Sequence, residues 1–343
     1  MRAKLPDKEG YAERDGVKLF YEVYGNGAET LLFVPPWSIV HSRIYKAQLP
    51  YLSEHFRCIT YDGRGNGKSD RPGDVAAYSL ENYVADALAV MDATGTEQAV
   101  LVGLSFGGLL ASILAAHHPA RVRAAVLAGT MASVGPNYPY ISQRNFLAKR
   151  DSFEGWDKYN REHWLNNYPD FADHFVRQIC SDPHSTKQIE DGLGWAADTD
   201  GPVLAKTVEA RMMLPDFDIS EAMYRQISCP MLLIHGDNDQ IQPYGRAQLV
   251  AELTGAELVT IRGGGHNPLG RFPAKCNTLI VDFIERKLGT ARQRRTLPPR
   301  APKRVLYLSS PIGLGHARRD LAVARELRTL HPDCRSTGWR KIR

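Results

Sequence analysis

The chain has 343 residues, 43% of them apolar, and a formal net charge of +5. That is long enough for one large α/β body plus an appendage, and no apolar run is long enough for a membrane span. The charge is uneven: residues 291–343 hold 14 Lys/Arg against 3 Asp/Glu, which leaves 29 against 35 in the rest and a mildly acidic body. No base-reading motif accompanies the basic tail, so a solvated linker is expected there and neither nucleic acid nor a membrane as partner. The five cysteines, at 58, 180, 229, 276 and 334, form no C-x-x-C, which argues against a disulfide framework or a zinc site; no metal and no cofactor are expected. The charged start lacks the apolar stretch of a signal peptide, and a cytoplasmic location is expected.

Taken in order, residues 12–24 alternate around Asp15-Gly16, which predicts a hairpin. Leu31–Val34 is a short apolar run of the kind found in buried parallel strands, and Pro35-Pro36-Trp37 ends it. Cys58–Tyr61 predicts another strand, followed by a tight Gly-rich loop over 62–69 that lacks the Walker spacing. Ser79 is placed to cap a helix with apolar positions 80, 83, 84, 87, 88 and 91. Ala99–Val102 then leads into Gly103-Leu104-Ser105-Phe106-Gly107 and a run of small and apolar residues. This reads as strand, sharp turn and helix, the context that the G-x-S-x-G nucleophile elbow requires. Ser105 is the expected nucleophile, with a helix N-terminus behind it that suits a developing oxyanion. Ala124–Ala128 predicts the next strand.

Strand–helix alternation stops after that. Residues of about 134–225 carry Trp156, Trp164 and Trp195 and show no convincing strand, which predicts a helical insertion. Alternation resumes with Met231–Ile234 and Leu258–Ile261, and a last helix carries Leu279, Ile280, Phe283 and Ile284. The expected fold class is α/β, with a doubly wound, mostly parallel sheet. Strand 231–234 runs into His235-Gly236-Asp237-Asn238-Asp239, and strand 258–261 into Gly263-Gly264-Gly265-His266. Acid and imidazole thus follow successive strands at their C-terminal ends, where open α/β sheets bind ligands. Asp237 and Asp239 compete for the acid role, and a turn aspartate that bonds its own backbone is common.

With these motifs in the order Ser, Asp, His, residues 15–287 resemble the α/β-hydrolase superfamily. Asp62-Gly63-Arg64-Gly65-Asn66-Gly67-Lys68-Ser69 matches that family's D-x-R-G-x-G-x-S turn, which is structural there. The resemblance implies an α/β-hydrolase domain over 12–287, its cap over about 134–225. It implies Ser105 as nucleophile, His266 as base and Asp239, at the family's G-x-x-D position, as the acid that orients the imidazole. His235 is expected to be structural or to support the acid. The family's oxyanion hole takes one N–H from the residue after the nucleophile, here Phe106, and one from a residue that maps to Trp37. Pro35-Pro36 replaces the family's His-Gly pair just before it. The cap is expected to roof the pocket with Trp164 and Trp195, and with candidates among Trp156, Phe153, Phe171, Phe175, Met212 and Met213. A serine at the elbow points to a serine-dependent hydrolase of a small carbonyl substrate, a carboxylic ester or related acyl compound, through an acyl-enzyme. Acyl transfer, perhydrolysis or C–C hydrolysis on the same triad stay open, as does a non-enzymatic ligand receptor of the same fold. Oligomeric state stays open too.

Residues 288–302 are rich in Arg and Pro and are expected to be a linker. The stretch 303–343 opens with Val305–Leu308, then Pro311-Ile312-Gly313-Leu314-Gly315-His316 and a basic helical pattern. It resembles the first strand–loop–helix of two-domain glycosyltransferases that use nucleotide sugars, where a histidine at the place of His316 can serve as acceptor-side base. About forty residues are too few to bury a core. A truncated fusion without transferase activity, dispensable for the body, is expected.

Overall fold

Asp15 and Gly16 take φ of 50° and 74°. Two successive positive φ values make the tight turn whose twist matches that of a hairpin. They join β1 (Lys8–Arg14) to β2 (Val17–Tyr24) antiparallel in the computed structural model, so the first strand starts earlier than the alternation predicts. The structure describes residues 3–213 and 217–289, with four isolated helical positions at 322, 325, 326 and 329. The stretch 288–302 beyond Gly289 and the segment 303–343, those four positions aside, lie outside the described residues, and with them His316 and the glycosyltransferase-like motif. The chain divides into Met1–Arg292 and Gln293–Arg343. Among the described residues no helix is long and apolar enough to cross a membrane.

Six further strands complete one sheet: β3 (Thr30–Val34), β4 (Arg57–Tyr61), β5 (Ala99–Leu104), β6 (Val122–Ala128), β7 (Met231–Gly236) and β8 (Glu257–Ile261). Their order is β1-β2-β4-β3-β5-β6-β7-β8, and every pair from β4 onward is parallel. The sheet is therefore doubly wound and mostly parallel, as the pattern predicts. Strand β5 is buried on both faces because helices cover both, so it reads as a continuous apolar run and not as alternation. The helix Leu80–Ala93 starts where Ser79 Oγ accepts from Asn82 N–H at 3.2 Å. The loop after β4 is a polar knot: Asp62 accepts from Ser42 Oγ and Lys68 N, and Arg64 forms a two-pronged buried pair with Asp86 at 2.6 Å.

Between β6 and β7 the described chain holds helices and no strand, including Arg161–Ile179, Thr186–Ala196 and Gly201–Met213. Their shared core is aromatic. The Trp164 ring packs at 4.4 Å on Phe171 and 4.9 Å on Phe146, and Trp37 from the body joins at 5.5 Å. A cap built this way leans on the loop after β3, and that loop is pinned in turn. Tyr45 OH donates to Val34 O at 2.6 Å and accepts from Leu104 N at 3.0 Å, which ties the end of β3 to the end of β5.

Candidate active site

Strand β5 ends in a turn that only a crowded backbone explains. A Cβ at Gly103 would meet Gly107 O at 2.3 Å, and one at Gly107 would meet Val34 O at 2.5 Å. Between them Ser105 takes φ 55° and ψ −119°, outside the comfortable regions for an L residue. Its N–H donates to Ala128 O and its carbonyl accepts from Met131 N, both at 3.0 Å, so the end of β6 and the loop after it hold the strain. The helix Phe106–His117 begins at the next residue and aims its N-terminal donors at the same space.

The loop after β7 carries the acid. Asp239 is 1% exposed, and its Oδ1 accepts from Ile241 and Gln242 N–H at 2.7 and 2.9 Å. Its Oδ2 lies 2.8 Å from His266 Nδ1 and 3.1 Å from His235 Nε2. Burial alone would raise this carboxyl. The two imidazoles and their hydrogen bonds outweigh burial and hold it well below the ordinary carboxylate range. An ionised Asp239 makes His266 Nδ1 the donor and leaves Nε2 as the nitrogen able to accept a proton. His235 Nε2 also faces Gln242 O at 3.0 Å, so it carries a proton and bridges the loop to its acid. Asp237 does something else. It is exposed, and its Oδ1 accepts from Gly263 N–H at 2.6 Å in a turn.

Ser105 and His266 both line one cavity of about 980 Å³, mouth included. Trp37 and Phe106 line it too, and no hydrogen-bond partner engages either backbone N–H among the described residues. The indole of Trp37 turns away and donates to Thr207 Oγ1 at 2.6 Å. The other walls are mostly apolar, with Ile44, Leu104, Met131, Ile179, Val208 and Ile241.

The roof differs from the expectation in its tryptophans. Trp164 is fully buried away from the cavity, its indole donating to Lys158 O at 2.8 Å, because the cap needs it as its own core. Trp195 lines a second, smaller cavity of about 610 Å³ that shares the Val40, Ile44 and Ile179 walls. Phe175 and Met212 do face the Ser105 cavity; Trp156, Phe153 and Phe171 do not, and the Met213 side chain lies outside the described residues.

Sequence reasoning missed two groups. Tyr138 and Tyr140 donate to Asp239 O and Gln240 O at 2.7 and 3.0 Å, stack on each other at 4.9 Å, and Tyr140 stacks on Trp156 at 4.2 Å. This ladder ties the acid loop to the cap, and burial together with Tyr138 and Asp239 pushes the Tyr140 phenol up to about 12. Arg211 and Arg246 also line the cavity. Nothing in their spacing marks them, since both sit on helices that look ordinary in sequence.

A family model described as the alpha/beta hydrolase fold matches residues 30–270. The chain belongs to the α/β-hydrolase family. It is similar to the serine hydrolase BPHL of Mus musculus, 27% identical over 274 residues, which span 79% of this chain and 84% of the mouse one. A 2-hydroxymuconate semialdehyde hydrolase from a Pseudomonas strain is 30% identical over 255 residues, covering 70% of this chain and 80% of its own. Among solved structures, a hydrolase from Pseudomonas aeruginosa superposes with a TM-score of 0.67 at 27% identity, over 81% of this chain and 98% of that one. A capped hydrolase fold of this kind explains why the strained serine, the acid loop and the imidazole all meet at the C-terminal ends of β5, β7 and β8.

Proposed function

We propose that this protein is a serine hydrolase that cleaves a small carbonyl substrate, a carboxylic ester or related acyl compound, through an acyl-enzyme. The observation that carries the reading is the Asp239–His266 contact of 2.8 Å on the rim of the cavity that Ser105 enters from its strained turn. Ser105 Oγ attacks the carbonyl carbon as His266 Nε2 takes its proton. The tetrahedral oxyanion is held by the Phe106 and Trp37 N–H groups. The imidazolium, stabilised by ionised Asp239, returns the proton to the leaving group. Water then repeats the sequence on the acyl-Ser105 ester and releases the acid. His266 acts as base in its neutral form.

A fluorophosphonate probe should label the wild-type protein and leave Ser105→Ala unlabelled. Labelling that survives the substitution would overturn the reading. A second outcome has its own support, because similar chains include a non-heme chloroperoxidase of Streptomyces lividans, 26% identical over 279 residues. On this triad hydrogen peroxide could replace water as acyl acceptor and yield a peracid. Product analysis with peroxide in competition with water separates the two.

A further inference from the structure

The Ser105 cavity is mostly apolar, yet among the described residues its walls include two arginines and no carboxylate or lysine. The two arginines are used differently. Arg246 is committed to the fold: it is buried, Nε donates to Pro136 O at 2.7 Å, and Nη1 donates to Gln242 Oε1. Arg211 is not so committed. Among the described residues no hydrogen bond or ion pair holds its guanidinium. The group lies over the Phe106 ring, 5.2 Å from its centroid, and Tyr83 closes on the same ring at 5.1 Å. Arg211 belongs to the cap helix Gly201–Met213, whose Thr207, Val208, Arg211 and Met212 form one face toward the body; Thr207 anchors that face to Trp37.

The Arg211 side chain is half-buried, and its planar fork of donors suits a two-oxygen anion such as a carboxylate. Its attraction for such an anion is stronger there than in water. Among the described residues that line the cavity, Arg211 is the one uncommitted cation, which suits a singly charged anion. The position also matters, because Phe106 is the residue directly after the nucleophile. An anion on Arg211 therefore shares the cavity with a carbonyl carbon at Ser105.

We propose that the substrates are acyl compounds that carry a free carboxylate, and that Arg211 binds this carboxylate while Ser105 attacks the neighbouring carbonyl. This rests on the serine-hydrolase reading for its chemistry but not for its binding. The carboxylate takes no part in the bond changes. The acyl C–O bond breaks, water supplies the oxygen of the new acid, and its proton ends on the released alcohol. Arg211 acts through position and affinity.

Two measurements test it. The first compares kcat/KM for the mono-p-nitrophenyl ester of glutarate with that of the neutral p-nitrophenyl ester of equal chain length. Wild type should prefer the carboxylate ester by about ten- to a hundredfold, the factor for one hydrogen bond to a charged group. Arg211→Gln should collapse that preference, and Arg211→Lys should restore part of it. An equal loss on both esters, or a wild-type preference for the neutral one, overturns the proposal. The second measurement is calorimetric binding of hexanoate and hexanamide to Ser105→Ala, with and without Arg211→Gln. Hexanoate should bind more tightly, and only while Arg211 is present. Absent hexanoate binding, equal binding of both, or a preference that outlives Arg211→Gln overturns it. Failed fluorophosphonate labelling would overturn the serine mechanism and leave this binding result to stand or fall separately.

Discussion

The elbow and the cap face each other across one cavity and are built by different means. At the elbow, backbone does the positioning. Gly103 and Gly107 admit the close approach of strand, helix and the β3 carbonyl, and hydrogen bonds to the end of β6 and to Met131 just beyond it hold Ser105 at φ 55°. In the cap, side chains do it. Trp164, Phe171, Phe146 and Trp37 fill a core, and the Tyr138–Tyr140–Trp156 ladder carries that core down to the acid loop. Backbone geometry imposes a strict local code, because one Cβ in the wrong place meets a carbonyl at under 3 Å. Aromatic packing imposes a loose one, because many large residues fill the same volume. Chemistry is therefore expected to fail sharply on the body side, and the cap to fail through stability and selectivity.

The most demanding test is on the body side, within a few residues. Asp239→Asn should lower turnover on the order of 10⁴-fold, since the imidazole loses its oriented, charge-stabilised form. Asp237→Asn should cost far less, because Asp237 holds only a turn N–H on the surface. Steady-state rates of the two variants check this, and a reversed ranking would move the acid. Next comes the cap. Trp164→Ala should lower unfolding free energy by about 3–5 kcal/mol, the usual range for an emptied aromatic core site. Denaturant melts measure it, and fluorophosphonate labelling of Ser105 should persist at temperatures where the variant stays folded. If labelling vanished while the fold remained, cap and elbow would not be separable.

The smallest effect is a pH dependence. The Asp239 carboxyl titrates below its unfolded-state value. Its ionisation therefore stabilises the folded chain above about pH 4, the ordinary carboxylate value, and the contribution is lost as pH falls toward the folded value. Asp239→Asn should melt below wild type at neutral pH, and the gap should narrow in more acid solution. Calorimetric Tm values at the two conditions check it, and a gap that widened in acid would show that Asp239 is not held ionised by His266 and His235.

The same contrast separates what could be read in the chain from what could not. The sheet, the elbow and the loops ending in Asp239 and His266 rest on short-range rules: buried parallel strands are apolar runs, a sharp strand–helix turn needs small residues, and ligand groups follow the C-terminal ends of strands. Those rules act over a few residues and leave a pattern in the sequence. The family pattern already points to Asp239 over Asp237, but its contact with His266 and the tyrosine ladder depend on groups that the fold brings together from far apart in the chain, and the pairing of His235 with the same carboxyl, four residues away, depends on how the loop after β7 bends. The same holds for the walls of the cavity. Trp164 and Trp195 look alike in sequence, yet one is consumed by the cap's core and the other lines a neighbouring cavity. Which face of an amphipathic helix meets a partner is set by the partner, so Arg211 became part of the cavity only when the helix Gly201–Met213 packed against Trp37 and Phe106.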